Sequence, residues 1–181
     1  GKQLNVAINP DFGQVESDEL VVNFTANETF YSDKRPFFSE NHSLFNVKGY
    51  EFFYVINTRR IGAAPDYDCS KFSENLQDAC SSSKFGTSDI DLAARYTQQG
   101  ESFDFGVLVA SEADQDFSQG RDFFALRGRK TGNDYSLGYL GTYVERPMLG
   151  RDASVHSFDL AYRPNTKTRI ASVLLNSNID G

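Results

Sequence analysis

The sequence predicts an all-β protein, an antiparallel up-and-down meander that forms part of an outer-membrane-type β-barrel. Three observations carry that expectation. Stretches of about ten residues after Ser88 alternate apolar and polar side chains with period two. The connections between them alternate between short and long. No stretch sustains a helical period. The expected organisation is a single β domain over residues 1–181. Residues 1–62 hold its first strands, 63–87 a long loop with a cysteine pair, and 88–181 a regular six-strand meander.

The strands follow in order. Over Lys2–Asn9, Leu4, Val6 and Ile8 alternate with Gln3 and Asn5, and Pro10-Asp11-Phe12-Gly13 breaks the pattern. Leu20–Tyr31 reads as a strand with Val22, Phe24 and Ala26 on one face. Pro36 and the polar Ser39–Ser43 segment interrupt the chain before an aromatic, β-branched strand expected over Tyr50–Ile61. The meander then runs through Ser88–Thr97, Ser102–Ser111, Arg121–Arg129, Tyr135–Glu145, Ser154–Arg163 and Arg169–Ser177. Its apolar positions include Ile90, Leu92, Ala94 and Tyr96 on the first of these, and Phe103, Phe105, Val107 and Val109 on the second.

Loop parity separates two architectures. Gln98–Glu101, Thr131–Asp134 and Pro164–Thr166 are short, whereas Glu112–Gly120, Arg146–Asp152 and the cysteine loop are long. Short turns at one end and long loops at the other are the layout of an outer-membrane barrel. Strands of this length cross a bilayer when tilted. A soluble antiparallel sheet with one wet face has the same alternation and is the alternative. Gly- and Tyr-rich strands favour the membrane form, and the lack of Trp counts against it.

Composition narrows the partners. There are 25 acidic against 18 basic residues, a net charge of −7, which disfavours a nucleic-acid binder. No apolar run reaches the roughly 18–20 residues of a transmembrane helix. The opening Gly1-Lys2-Gln3-Leu4 reads as a mature or excised segment. Cys69 and Cys80 lie in a polar stretch and fit a loop-closing disulfide in an oxidising compartment, with two unrelated free thiols as the alternative. His42 and His156 are not at zinc-ligand spacing. Asp66, Asp68, Glu74 and Asp78 lack EF-hand spacing and read as a solvated loop. No metal or cofactor is expected.

The densest stretch runs from Asn9 to Gly62. The aromatic pairs Phe30-Tyr31, Phe37-Phe38 and Phe52-Phe53 are interleaved with acids and with the doublets Lys34-Arg35 and Arg59-Arg60. Charges among large rings need partners. Glu28, Asp33, Lys34, Arg35, Glu40, Arg59 and Arg60 are therefore the candidate site, as an ion-pair network fixing the segment to a barrel wall or as a lumen contact for a passing solute. No catalytic residues are assigned. No Gly-rich phosphate loop and no G-x-S-x-G turn is present. Asn23, Asn27 and Asn41 begin formal glycosylation sequons.

The ordered motifs NPDFGQVESD (9–18), FYSDKRPFFSENHSLF (30–45) and TRRIG (58–62) resemble those of an uncharacterised bacterial outer-membrane β-barrel family. Members of that family usually carry an N-terminal domain similar to family 9 carbohydrate-binding modules. Its pattern is N-P-D-F-x-Q-V-E-x-D, F-F-x-E-K-R-P-F-F-x-E and S-R-R-I-G. This chain departs at Asp33, where the family has Glu, and at Thr58, where it has Ser; the cysteine loop is its own. The resemblance implies a Gram-negative outer-membrane location, contact with membrane lipid, a possible link to glycans, and a chain that is the first part of a longer barrel. The expected role is non-enzymatic: structural, pore-forming or glycan-associated. The alternatives are a secreted or periplasmic β-sandwich that binds carbohydrate and, more remotely, a glycoside hydrolase.

Overall fold

The computed structural model describes residues 1–11, 33–40, 42–47, 55–83 and 86–181. Seven strands form one open antiparallel sheet in the order of the sequence. They are β1 (Lys2–Ile8), β2 (Ile90–Gln99), β3 (Phe103–Glu112), β4 (Asp122–Thr131), β5 (Tyr135–Arg146), β6 (Arg151–Asn165) and β7 (Thr168–Asp180). The all-β up-and-down meander is as expected. The sheet is not closed into a barrel: β1 and β7 are its edges. The strand expected over Leu20–Tyr31, the sequon asparagines Asn23, Asn27 and Asn41, and Glu28 lie outside the described residues.

Local chemistry sets the turns. Asn165 accepts hydrogen bonds on Oδ1 from the backbone N–H groups of Lys167 and Thr168, which folds the β6–β7 hairpin. Gly132 N–H bonds to the Tyr135 carbonyl at the β4–β5 turn, and Gly100 N–H to the Phe103 carbonyl at β2–β3. A bulge shifts the register between Ile90 and Leu92. Ile90 therefore turns to the opposite face from Leu92, Ala94 and Tyr96, where simple alternation had placed all four together.

The segment between β1 and β2 departs from expectation twice. Residues 55–61 form no strand. They carry a bend and a 3-10 turn over Thr58–Arg60, because Asn57 Oδ1 accepts from Arg59 N–H and offers the backbone a turn instead of a ladder. Residues 50–54 of that expected strand lie outside the described set. Helices are present as well: α1 (Pro36–Ser39), α2 (His42–Phe45) and, inside the cysteine loop, α3 (Glu74–Ser83). Phe72, Leu76, Ala79 and Cys80 do follow a helical spacing, but the stripe is short and set in polar residues. The Cys69–Cys80 disulfide ties α3 back to the 3-10 turn over Cys69–Lys71.

The core lies between this segment and one face of the sheet. Phe38, Leu44, Phe45, Val47 and Ile61 pack on Ala93, Leu108, Ala110, Ala125 and Leu140. Fully burying Leu44 or Phe45 contributes about 1.5–3 kcal/mol each. Close approach depends on Gly106, since a Cβ there would lie 2.8 Å from Leu44 and 2.9 Å from the Phe45 ring. The covered face also holds charged side chains of the meander. Arg95, Asp104, Glu112 and Arg127 are all buried. The opposite face holds the apolar alternation of β1–β6 and is uncovered: Leu4, Phe103, Leu137 and Phe158 are exposed, as are Ile170 and Leu174 on β7. The alternation expected on β7, Ala171, Val173 and Leu175, lies instead on the covered side, in register with Ala161, Asp159 and Ser157.

Candidate site: an arginine-clamped segment on the covered face

Four-residue helices leave most of their carbonyl oxygens without intrahelical partners. In this protein arginines supply them. Arg95 on β2 donates to the carbonyl oxygens of Phe37 and Glu40 at the end of α1, and pairs with the Glu40 carboxylate at 3.2 Å. Arg127 on β4 donates through Nε to the Leu44 carbonyl of α2 at 3.1 Å. Its two other nitrogens reach Asp159 on β6 at 2.5 and 3.1 Å. Arg121 donates to the Arg60 and Ala63 carbonyls and forks onto Glu112 at 2.7 and 2.9 Å. Each wall arginine thus holds a carboxylate and the end of one turn of the overlying segment.

A fourth arginine does the same within the segment. Arg35 forks onto Asp33 at 2.9 and 2.7 Å and reaches the Thr58 and Ile61 carbonyls at 2.7 and 2.6 Å. Thr58 donates its hydroxyl to the same Asp33 carboxylate at 2.8 Å. The Arg35 guanidinium also lies 4.2 Å from the Phe38 ring centroid. This joins the second and third sequence motifs to each other. Gly62, which ends the third, has φ +78, a conformation glycine adopts without strain, and its N–H bonds to Glu112 Oε1 at 2.7 Å.

The candidate residues thus divide. Asp33 and Arg35 form one buried knot, and Glu40 belongs to a different one with Arg95 and Gln3. Arg60 contributes its carbonyl to Arg121, and Arg59 its N–H to Asn57. Lys34 is exposed. Arg95, Glu112, Arg121, Arg127 and Asp159 were missing from the candidate set although they make the wall side of the clamp. Their signal was present: charged residues recur at one parity of consecutive strands, and it was read only as a wet face.

A further network ties the cysteine loop to the strand ends. Asp66 accepts from Arg146 Nε and Nη2 at 2.7 and 2.5 Å, with Arg121 at 4.0 Å. Lys71 donates to the Met148 carbonyl at 2.6 Å. Burial works to raise the carboxyls of Asp33 and Asp66. The hydrogen bonds and charge of Arg35 and Arg146 outweigh it and hold both below the usual aspartate value. Their folded pKa values lie under the unfolded value of 3.8, so their stabilisation is present above that value and is lost as pH falls through the folded one. The melting temperature should therefore hold from about pH 7 to about pH 5 and drop below about pH 4. A fall between pH 7 and 5 would contradict the assignment.

The carboxylates of the site are engaged in ion pairs. Asp33, Glu40, Asp66, Glu112 and Asp159 each face a guanidinium, and the two shifted carboxyls move away from the range of a general acid. A cavity of about 330 Å³ lies beside the clamp, lined by Val55, Ile56, Ile61, Leu108, Phe123 and Val155 among others. The polar residues of its described lining are Asn57, Arg60, Thr142 and Tyr143, and that lining has no carboxylate, histidine or cysteine.

The comparisons with known proteins bear on the same segment. Residues 3–90 match the family described as a domain of unknown function (DUF5916). This DUF5916 match spans just under half of the chain and takes in all three motifs, together with α1, α2, α3 and all of β1 but Lys2. It ends where β2 begins. No curated protein and no solved structure matches the chain.

Proposed function

We propose that this chain is a section of the wall of an outer-membrane β-barrel, with the segment between β1 and β2 filling part of the lumen. One observation carries the reading: the buried charges Arg95, Asp104, Glu112 and Arg127 lie on the covered face, and the apolar alternation of β1–β6 lies on the uncovered one. A water-soluble sheet does the reverse. In a barrel in lipid, apolar residues point out and polar ones in. The aromatic placement agrees. Tyr135 opposes Tyr162 towards the turn end of the uncovered face, and Phe124 opposes Tyr143 towards the loop end, so aromatic rings lie on both sides of its aliphatic centre. The motif resemblance supports a bacterial outer-membrane location, and the disulfide fits an oxidising exterior. The role is structural, or that of a pore narrowed by the clamped segment.

A second reading takes the exposed aromatics as a platform for glycans on a secreted sheet. Against it, Leu137, Leu160, Leu174 and Ile170 stand between the rings, where a sugar would need polar partners. Neighbouring positions on β6 separate the two. In a barrel wall Leu160→Arg should cost about 2–4 kcal/mol of stability in the membrane, while Ala161→Arg, facing inward, is tolerated. Unfolding of each variant in vesicles measures this. On a soluble sheet Leu160→Arg would fall within about 0.5 kcal/mol of the parent, and that result would remove the barrel.

A further inference from the structure

The uncovered face also records the angle at which the strands meet the bilayer. Residues in direct cross-strand register form rows, and one row runs Val6, Ala94, Val109, Phe124, Tyr143, Ser154 and Asn178 from β1 to β7. It begins at the centre of the apolar stretch of β1 and ends on polar side chains. On this face the apolar residues of β6 are Phe158, Leu160 and Tyr162, and those of β7 are Ile170 and Leu174, whereas Ala171, Val173, Leu175 and Ile179 point to the other side. The centre of the β7 stretch is Ser172, six residues from Asn178, after six strand-to-strand steps. The apolar band therefore slides by about one residue per strand. With about 3.3 Å per residue and about 4.8 Å between strands, that slope is about 35°.

The slope has a physical meaning. A bilayer is flat, so an apolar band of fixed height must cross tilted strands obliquely, and barrel strands tilt by roughly 35–45°. The charge pattern is complementary to such a layer. The band carries no Asp, Glu, Lys or Arg. On the loop side Asp122, Glu145, Asp152 and Asp180 form one register row. That row adjoins the band at Phe124 on β4 but is separated from it by Ser154 and His156 on β6 and by Asn176 and Asn178 on β7. Lys2 and Lys130 border the band on the turn side of β1 and β4. Nothing in packing within the sheet calls for a diagonal boundary, because register rows would serve a protein partner or a second layer equally well.

We infer that the occupant of this face is the acyl region of a lipid bilayer, whose midplane crosses the sheet obliquely from Val6 on β1 through Val107 on β3 to Leu160 on β6. The inference rests on the wall reading and adds a depth to each position. Single cysteines replacing Val6, Val107, Leu160 and Ser154 in the intact protein, spin-labelled and reconstituted in phosphatidylcholine–phosphatidylglycerol vesicles, test it. Collision with oxygen relative to a water-soluble nickel chelate reports depth. The expected result is three deep labels at Val6, Val107 and Leu160, and a shallow one at Ser154, although Ser154 shares a register row with Val6. Equal depth at Val6 and Ser154 with a shallow Leu160 would overturn the oblique midplane and leave the wall reading standing. Water exposure at all four positions would overturn both.

Discussion

Arg127→Ala is expected to destabilise the protein by about 3–5 kcal/mol, measured by urea unfolding, with the value near the lower limit. The Arg127 side chain is 1% exposed, the largest fully buried side chain among the described residues. Removing it strands the Asp159 carboxylate and the Leu44 carbonyl together, and the 19% exposure of Asp159 lets water offset part of the loss. Arg127→Lys should recover only a fraction, because an ammonium cannot fork onto Asp159 while also meeting Leu44. Removing both charges, as in Arg127→Met with Asp159→Leu, should recover most of it, since the dominant cost is the unpaired buried charge. A loss below about 1 kcal/mol for Arg127→Ala would mean that this guanidinium does not hold the segment to the wall.

The second large effect belongs to Arg121. Glu112 is 1% exposed in its side chain, and without Arg121 it would keep the Gly62 N–H but no counter-charge. Arg121→Ala should cost a similar roughly 3–5 kcal/mol. It should also free the carbonyl oxygens of Arg60 and Ala63 at the start of the cysteine loop. Limited proteolysis within residues 63–83 should then quicken even under conditions where the sheet stays folded. Cleavage at the parent rate would show that Arg146 and Lys71 suffice to hold that loop, and that the Arg121 contacts are incidental.

These two arginines also show what the sequence made legible. Alternation in ten-residue stretches located six of the seven strands of the sheet, and Leu4, Val6 and Ile8 located the other. Period two is a direct consequence of the pleat and survives any tertiary context. Which face would be covered was not legible, because alternation is blind to the sign of burial. Arg95, Arg121 and Arg127 look like solvated positions until the overlying segment is placed on them. The short helices were invisible for a related reason. α1 and α2 span four residues each and are held by arginines from other elements, so no local period announces them. The strand expected at 50–61 failed over its described half because Asn57 and Gly62 impose turn geometry on β-branched neighbours.

The motifs were read as a place of paired charge, with the partners expected within the set itself. Arg35 and Asp33 pair within one motif, and Thr58 of the next closes on the same carboxylate. Glu40 looked like a partner for the neighbouring basic residues and instead belongs to Arg95, on a strand more than fifty residues away in sequence. A pairing at that separation cannot be read from composition. It follows from the fold, in which β1 and β2 lie side by side and bring α1 down onto the sheet.

The central claim is that lipid, not water or another protein layer, meets the apolar face. Fractionation of cells expressing the intact protein tests it most directly. The expected result is recovery in the membrane pellet, resistance to alkaline carbonate, and release only by detergent. A protein recovered in the periplasm or medium, monodisperse without detergent, would contradict it.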